Sequence, residues 1–324
     1  MIPSAVSVII PAYNAQATMA EALKAVLAQT AYCPIQVIVV DDGSTDNTAA
    51  IIKRFPSVKY IYQDNQGPAS ARNRGAAAAS GDVFIFTDSD CCPEPKWITK
   101  MIAGFSDPSI GAVAGSYSIA NPGERLARVI HGEIRFRHLR LMPEFTRAFG
   151  SYNVAIHAGF FRQSGGFNSE YRRASGEDND LSYRLLQEGL RIRFCKSACV
   201  AHYHQHKLAR YLREQFRHGF WRVRLYLDHL AMIGGDDYTF WKDMLEVPLA
   251  IIHLAGFFWL PFFFIMLCGF LLSEISFGIW LHGFSSDGLY AGLVMWLRAF
   301  ARAAGLISGG VYFYICRIKN AKRS

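Results

Sequence analysis

Charge is scarce in this 324-residue chain. Only 19% of its residues are Asp, Glu, Lys or Arg, against 51% hydrophobic and 14% aromatic, which excludes a disordered or collagen-like polymer. The mean hydropathy of +0.12 is high for a wholly soluble enzyme and low for a polytopic transporter, so a globular domain with a membrane portion is expected. Cysteine is sparse too. The seven are scattered, with Cys91 and Cys92 adjacent and Cys268 in an apolar run. Their spacing makes neither a zinc site nor a dense disulfide framework, and an odd, dispersed set suits a reducing compartment. The N-terminus passes directly into Val6-Ser7-Val8-Ile9-Ile10 with no charged segment, hydrophobic stretch and cleavage site, so no signal peptide is expected.

The net charge of +8 would suit a nucleic-acid binder, but its distribution does not. Residues 1–124 carry 8 Lys+Arg against 11 Asp+Glu (net −3), residues 125–226 carry 19 against 8 (net +11), and residues 227–324 carry 7 against 7. The basic block stands just before the most apolar part of the chain and brings no DNA or RNA module with it, so no nucleic-acid partner is expected.

Residues 247–273 contain no Asp, Glu, Lys or Arg and are flanked by Glu246 and Glu274. About 20 helical residues cross a hydrocarbon core. A first span is therefore expected at about 249–272, with Pro248 in its first turn and a kink at Pro261. A second is expected at about 297–316, with Arg298 and Arg302 snorkelling to the headgroups from one end. The loop 273–288 holds Glu274 and Asp287 but no Lys or Arg, and the tail Arg317-Ile318-Lys319-Asn320-Ala321-Lys322-Arg323 is basic. That places the loop outside and both termini in the cytoplasm. The expected domains are a catalytic domain over 1–226, including a helix at 207–227, and a membrane region over 227–324.

Short β-branched runs at 6–10, 36–40 and 83–86 alternate with helical patterns at 17–29 and 48–54. This predicts a parallel α/β sheet, whose ligands bind beyond the carboxyl ends of the strands. At those ends stand Pro11-Ala12-Tyr13-Asn14, Asp41-Asp42-Gly43-Ser44 and Asp88-Ser89-Asp90. Asp42 could accept a hydrogen bond from a ribose or a base N–H. Asp88 and Asp90 could hold a hard divalent cation against a diphosphate. Each motif alone is a common turn or cap; their order at three strand ends is what makes them informative.

Together these segments resemble the family-two glycosyltransferases of the GT-A fold. The likeness continues through Gly67-Pro68-Ala69-Ser70-Ala71-Arg72-Asn73, Gly165-Gly166-Phe167, Gly176-Glu177-Asp178-Asn179-Asp180-Leu181 and Val200-Ala201-His202, and covers about residues 4–225. The resemblance implies a GT-A nucleotide-sugar-binding domain, a Rossmann-like mixed sheet flanked by helices, followed by C-terminal transmembrane helices. It assigns Pro11, Tyr13 and Asp42 to the nucleoside, Arg72 to the neighbourhood of the nucleotide and Asp88 to the ribose or metal. Asp90 and His202 would bind Mn2+ or Mg2+, Asp178 would be the general base, and Glu177 would touch the acceptor.

Plainer roles compete with some of these. Carboxylates at 177–180 also suit the first turn of a helix, and Asp180 is expected to cap or orient that helix. His202, His204 and His206 would share one face of a strand, but no further Cys or carboxylate completes a zinc site; the resemblance alone lifts His202 above the other two. At 207–227, Leu208, Leu212, Phe216, Phe220, Val223 and Leu227 form an apolar stripe bordered by Arg210, Arg213, Arg217 and Arg224. Such a helix packs on protein or lies on anionic lipid; its place before a span favours lipid. Gln215 and Trp221 only faintly echo the Gln-x-x-Arg-Trp element of processive relatives, so processive synthesis is not expected.

The expected protein is thus a metal-dependent, inverting, hexosyl-type glycosyltransferase on the cytoplasmic face of the inner membrane. It would move a sugar from a nucleotide-diphospho-sugar, a UDP-sugar being the expected donor, to a lipid-linked or membrane-adjacent acceptor in glycan, polysaccharide or glycolipid assembly. The alternative is a non-catalytic GT-A-like scaffold that binds lipid or protein through the basic block. Intact Asp42, Asp88, Asp90 and Asp178 weigh against it.

Overall fold

The computed structural model describes residues 3–171, 176–235, 237, 241–255 and 260–321. The chain forms two compact units: Met1–Ala120 with His138–Tyr203, and Asn121–Arg137 with His204–Ser324.

The first unit is built on one mixed sheet. Its strands are β1 (Val6–Ala12), β2 (Ile35–Asp42), β3 (Val58–Gln63), β4 (Val83–Thr87), β5 (Cys91–Pro93), β6 (Ile110–Ile119), β7 (Phe145–Thr146), β8 (Asn153–His157) and β9 (Arg191–His202). They lie in the order β3-β2-β1-β4-β8-β6-β9-β5, with β7 paired to β9. β1 to β4 are mutually parallel, as expected from the strand–helix alternation. β8 is antiparallel to both β4 and β6.

β1 is buried along its whole length because both faces of the sheet are covered. Val6, Val8 and Ile10 pack with α1 (Met19–Leu27), α2 (Thr48–Ile52) and α4 (Trp97–Ala103). Ile9 and the alternate residues Phe84 and Phe86 of β4 pack with α3 (Pro68–Ala77), α6 (Ala158–Gln163) and α7 (Glu177–Gln187). Gly75 lets α3 approach closely: a Cβ there would lie 2.5 Å from Ile9 Cγ2. The register aligns Ala12 with Asp41 and Thr87 with Asn153, so the ends of β1, β2 and β4 and the start of β8 meet at one edge.

The second unit is helical. It contains α5 (Arg125–Arg140) up to Arg137, α8 (Leu208–Asp228), a short 3-10 turn, α9 (Trp241–Ala255), α10 (Leu260–His282) and α11 (Ser286–Ala321). The boundary expected at 226/227 falls inside α8, which groups with the C-terminal helices.

Here the helices depart from several sequence expectations. The segment 249–272 is not one described helix: α9 ends at Ala255, α10 begins at Leu260, and 256–259 lie outside the described residues. Pro248 sits inside α9 rather than in its first turn, because that helix already begins at Trp241. The kink expected at Pro261 adjoins 256–259, which lie outside the described residues. The loop expected at 273–288 is mostly helix, leaving a turn at 283–285, and Glu274 is buried against Lys242.

α11 starts well before 297. Arg298 does not snorkel; it is buried between Glu133 and Glu246, since a charge taken out of water needs an opposite charge beside it. Among the described residues, Ser286–Cys316 is the one helix long and apolar enough to cross a membrane by length and composition.

The apolar stripe of α8 is packed on protein from Leu208 to Phe220, while Leu227 at its end stays exposed. Leu208 and Leu212 join a cluster with Ala291, Val294 and Met295, and the Phe220 ring lies 5.5 and 5.4 Å from Tyr312 and Phe313. Gln215 accepts a hydrogen bond from Arg302 Nε at 2.8 Å and belongs to this helix–helix seam.

Candidate active site

Every residue of the candidate site belongs to the first unit. β1 runs into Pro11, buried, and Tyr13, exposed. Beside them Asn14 takes a left-handed φ of 51°. Its backbone N–H donates to Ser44 Oγ (3.0 Å), and its side-chain oxygen accepts from the Thr45 N–H (2.8 Å). This clamps the ends of β1 and β2 together.

Asp42 is buried and already occupied. It accepts from Gln63 Nε2 (2.7 Å) and from the backbone N–H groups of Gln66 (2.8 Å) and Gly67 (2.9 Å). A carboxylate offers about four lone-pair positions. Asp42 therefore shapes the 63–67 turn and keeps about one position for another donor.

Arg72 is 2% exposed. Its Nη2 donates to Asp88 Oδ1 (2.8 Å) and its Nη1 to Glu177 Oε1 (3.0 Å). The guanidinium also sits 5.4 Å from the centre of the Phe167 ring. Both terminal nitrogens are thus engaged by carboxylates, and Arg72 ties the end of β4 to the first turn of α7. Sequence reasoning missed this bridge. A signal was present: Ala69, Ala71, Gly75 and Ala76 mark a helix face against the core, and an arginine on such a face requires buried carboxylate partners.

α7 opens at Gly176, whose φ of 125° few other residues adopt. Residues 172–175 lie outside the described residues. Asp178 is half-buried; its Oδ1 accepts from the Asn179 N–H (2.9 Å) and its Oδ2 lies 3.5 Å from the Ser151 nitrogen. Burial pushes its pKa up to about 7, with adjacent Glu177 adding to the shift and Arg72 opposing it. Ser182 fastens the helix: its hydroxyl donates to the Asp178 carbonyl (2.7 Å) and accepts from the Phe149 N–H (3.1 Å). Asp180 pairs with Arg184 at 2.6 Å, which also donates to the Gly166 carbonyl at 2.7 Å, so it orients the helix as expected.

Among the described residues, Asp90, Cys91 and His202 are the group whose ligand atoms fall within 4.8 Å of one another. The pairing of β5 with β9 sets Cys91 opposite His202, and Asp90 Oδ2 lies 3.5 Å from His202 Nε2. A carboxylate oxygen with an imidazole nitrogen fits Mn2+. Cys91 was not anticipated; burial first, then Asp90 and Asp88, hold its thiol well above the ordinary range, which keeps it protonated and a poor ligand. The alternating histidines do not share a site, because β9 ends at His202. His204 instead bonds Asn121 through its backbone (3.0 Å), with its Nε2 3.3 Å from His131 Nδ1.

Residues 7–167 match the family model described as glycosyl transferase family 2. The chain is 31% identical over 220 residues to validoxylamine A glucosyltransferase of Streptomyces hygroscopicus subsp. jinggangensis, covering 57% of this chain and 52% of that protein. It is 26% identical over 235 residues to glycosyltransferase AglE of Haloferax volcanii, covering 70% and 76%. The chain spans about half the length of the first of these relatives. Among solved structures, the mannosyltransferase PcManGT from Pyrobaculum calidifontis, in complex with GDP-Man and Mn2+, superposes with a TM-score of 0.61 at 20% identity, covering 94% of this chain and 87% of that one. The chain belongs to glycosyl transferase family 2, and its first unit is a GT-A domain.

Proposed function

We propose that the protein is a metal-dependent inverting glycosyltransferase that uses a nucleotide-diphospho-sugar, with a UDP-sugar as the expected donor. The observation that carries this reading is that the buried Arg72 joins Asp88, two residues before the Asp90–His202 pair, to Glu177, the neighbour of Asp178 in the first turn of α7. The names and ligands of the relatives support the class: one is a glucosyltransferase, and PcManGT was solved with a nucleotide sugar and Mn2+.

Pro11, Tyr13 and the free position of Asp42 act on the nucleoside. A divalent cation held by Asp90 and His202 would supply positive charge to the diphosphate. Asp178, with a pKa near 7, takes the proton of the acceptor hydroxyl. The acceptor oxygen then bonds the anomeric carbon while the bond from that carbon to the diphosphate oxygen breaks, which inverts the configuration. Glu177, expected to touch the acceptor, is buried and held by Arg72, so its part is to set the position of Asp178.

The apolar helix Ser286–Cys316 supports membrane attachment, and with it a lipid-linked or membrane-adjacent acceptor in cell-envelope glycan, polysaccharide or glycolipid assembly. The supply of sugar nucleotides puts the site on the cytoplasmic side. The test is a panel of UDP- and GDP-sugars incubated with purified protein and Mn2+ or Mg2+, scoring released nucleotide. At least one donor should be turned over, and EDTA should stop it. No release from any donor, with or without membrane lipid extract as acceptor, would favour the non-catalytic scaffold.

A further inference from the structure

We infer that the second unit attaches to a single leaflet, with α11 lying along the membrane plane and its outer face inserted, rather than crossing. The inference rests on the proposed membrane attachment and specifies its form.

α11 has the length of a span, but its neighbours cannot accompany it through hydrocarbon. α8 runs beside it from about residue 291 to 313. Leu208 and Leu212 pack with Ala291, Val294 and Met295, Gln215 bonds Arg302, and Phe220 lies against Tyr312 and Phe313. The approach is close enough that a Cβ at Gly305 or Gly309 would strike the carbonyl oxygen of Phe216 or Phe220. Yet α8 carries Arg210, Arg213, Arg217, Arg222 and Arg224, and the Arg210 side chain is 68% exposed. At the other end, Arg125 and Arg128 of α5 pair with Asp287, and Glu133 pairs with Arg298. A crossing α11 would carry this charged flank through the bilayer core, which lipid strongly disfavours.

The remaining face has the opposite character. Leu289, Leu293, Ala304, Ile307, Val311 and Ile315 are exposed on α11. Their spacing of three, four and eleven residues makes one stripe along the helix, and it holds no charge. α10 exposes Phe264, Leu272 and Trp280, and α9 exposes Leu245 and Ile252. Among the described residues, Lys242, Glu246, Glu274 and Arg298 turn inward instead: Lys242 pairs with Glu246 and Glu274, and Arg298 with Glu133 and Glu246. Apolar outside and charged inside reverses the order of a helix bundle in water. The arginines of α8 and the basic run at 317–323 supply the complement to anionic headgroups. A single leaflet accommodates both.

The test places single cysteines at Leu293, Ala304 and Val311 of the full-length chain, with native cysteines replaced. An environment-sensitive fluorophore is attached, and its depth in phosphatidylcholine–phosphatidylglycerol vesicles is read with shallow and deep nitroxide-labelled lipids. All three positions should report the same shallow depth. In a span, positions 293 and 311 would be about 27 Å apart along the bilayer normal; unequal depths with Ala304 deepest overturn the inference while leaving membrane attachment intact. Failure to float with vesicles sinks the attachment reading itself, and the inference with it. Labels shielded in a lipid-free dimer show that a second copy covers the face, which also overturns it. Should the cysteine-replaced chain not fold, proteinase K on sealed host-membrane vesicles of both orientations decides with unmodified protein. Both the turn at Phe284 and the basic tail at 317–323 should be cut only from the side on which the GT-A domain is cut; cleavage of either from the opposite side contradicts the inference.

Discussion

Arg72 is where the two halves of the site meet. Its guanidinium reaches Asp88 sixteen residues away in sequence and Glu177 a hundred and five away. That separation explains why the strand-end motifs were legible in the sequence and the bridge was not. Asp42, Asp88 and Asp90 sit in local turns whose chemistry is written in adjacent residues, whereas the partners of Arg72 meet only once α3, β4 and α7 are assembled. Arg72→Met would take the positive charge away from Asp88 and the buried Glu177, a loss of about 3–5 kcal/mol. Arg72→Lys is the sharper probe, because it keeps the charge and removes the two-pronged fork. We expect kcat to fall by about tenfold or more, the scale of one displaced positioning contact. The pH profile gives the sign. Asp178 must be deprotonated to act, so wild-type kcat should rise as pH passes through about 7. Arg72 opposes the upward push of burial through its charge, so Arg72→Met, which removes that charge, should move the acidic limb to higher pH. A lower Tm with an unmoved limb would make Arg72 merely structural.

At the scale of elements, periodicity revealed that 207–227 is an amphipathic helix but not what covers its stripe. An apolar face looks the same whether protein or lipid lies against it. The answer sits in small residues of both helices: Gly219 of α8 and Gly305 and Gly309 of α11 let the two backbones approach. The uncharged run at 247–273 was likewise visible, while the pairing of its flanking Glu274 with Lys242 was not, since hydropathy carries no information on where a buried lysine finds its carboxylate. Two neighbouring glycines test the seam. A Cβ at Gly309 would lie 2.4 Å from the Phe220 carbonyl oxygen, and one at Gly310 meets nothing within 4 Å. Gly309→Ala should destabilise by about 1–3 kcal/mol through overpacking. Gly310→Ala should stabilise by about 0.5–1 kcal/mol through helix propensity. Thermal unfolding in lipid nanodiscs measures both, and equal effects would show that the seam is not closely packed.

Over the whole molecule, the charge blocks of the sequence acquire a physical reading. The acidic first third holds the strand-end carboxylates. Arginines of the basic middle third hold carboxylates in place through Arg128, Arg184 and Arg193 or stud α8. The last third, neutral in sum, buries Lys242, Glu246, Glu274 and Arg298 among its helices. The family and the sheet were legible because their signatures are local and ordered along the chain; the two-unit division, with α5 contributing to the helical unit, was not, because it depends on contacts between residues near 125–137 and residues beyond 204. The account stands most directly on Asp178 as the base. The deciding measurement is the transfer rate of Asp178→Asn with the donor found in the panel, set beside its nucleotide affinity by calorimetry. The rate should fall by about a hundredfold to ten-thousandfold, the scale of a lost general base, while the affinity stays within a few-fold of wild type. Transfer at a near wild-type rate would contradict the account.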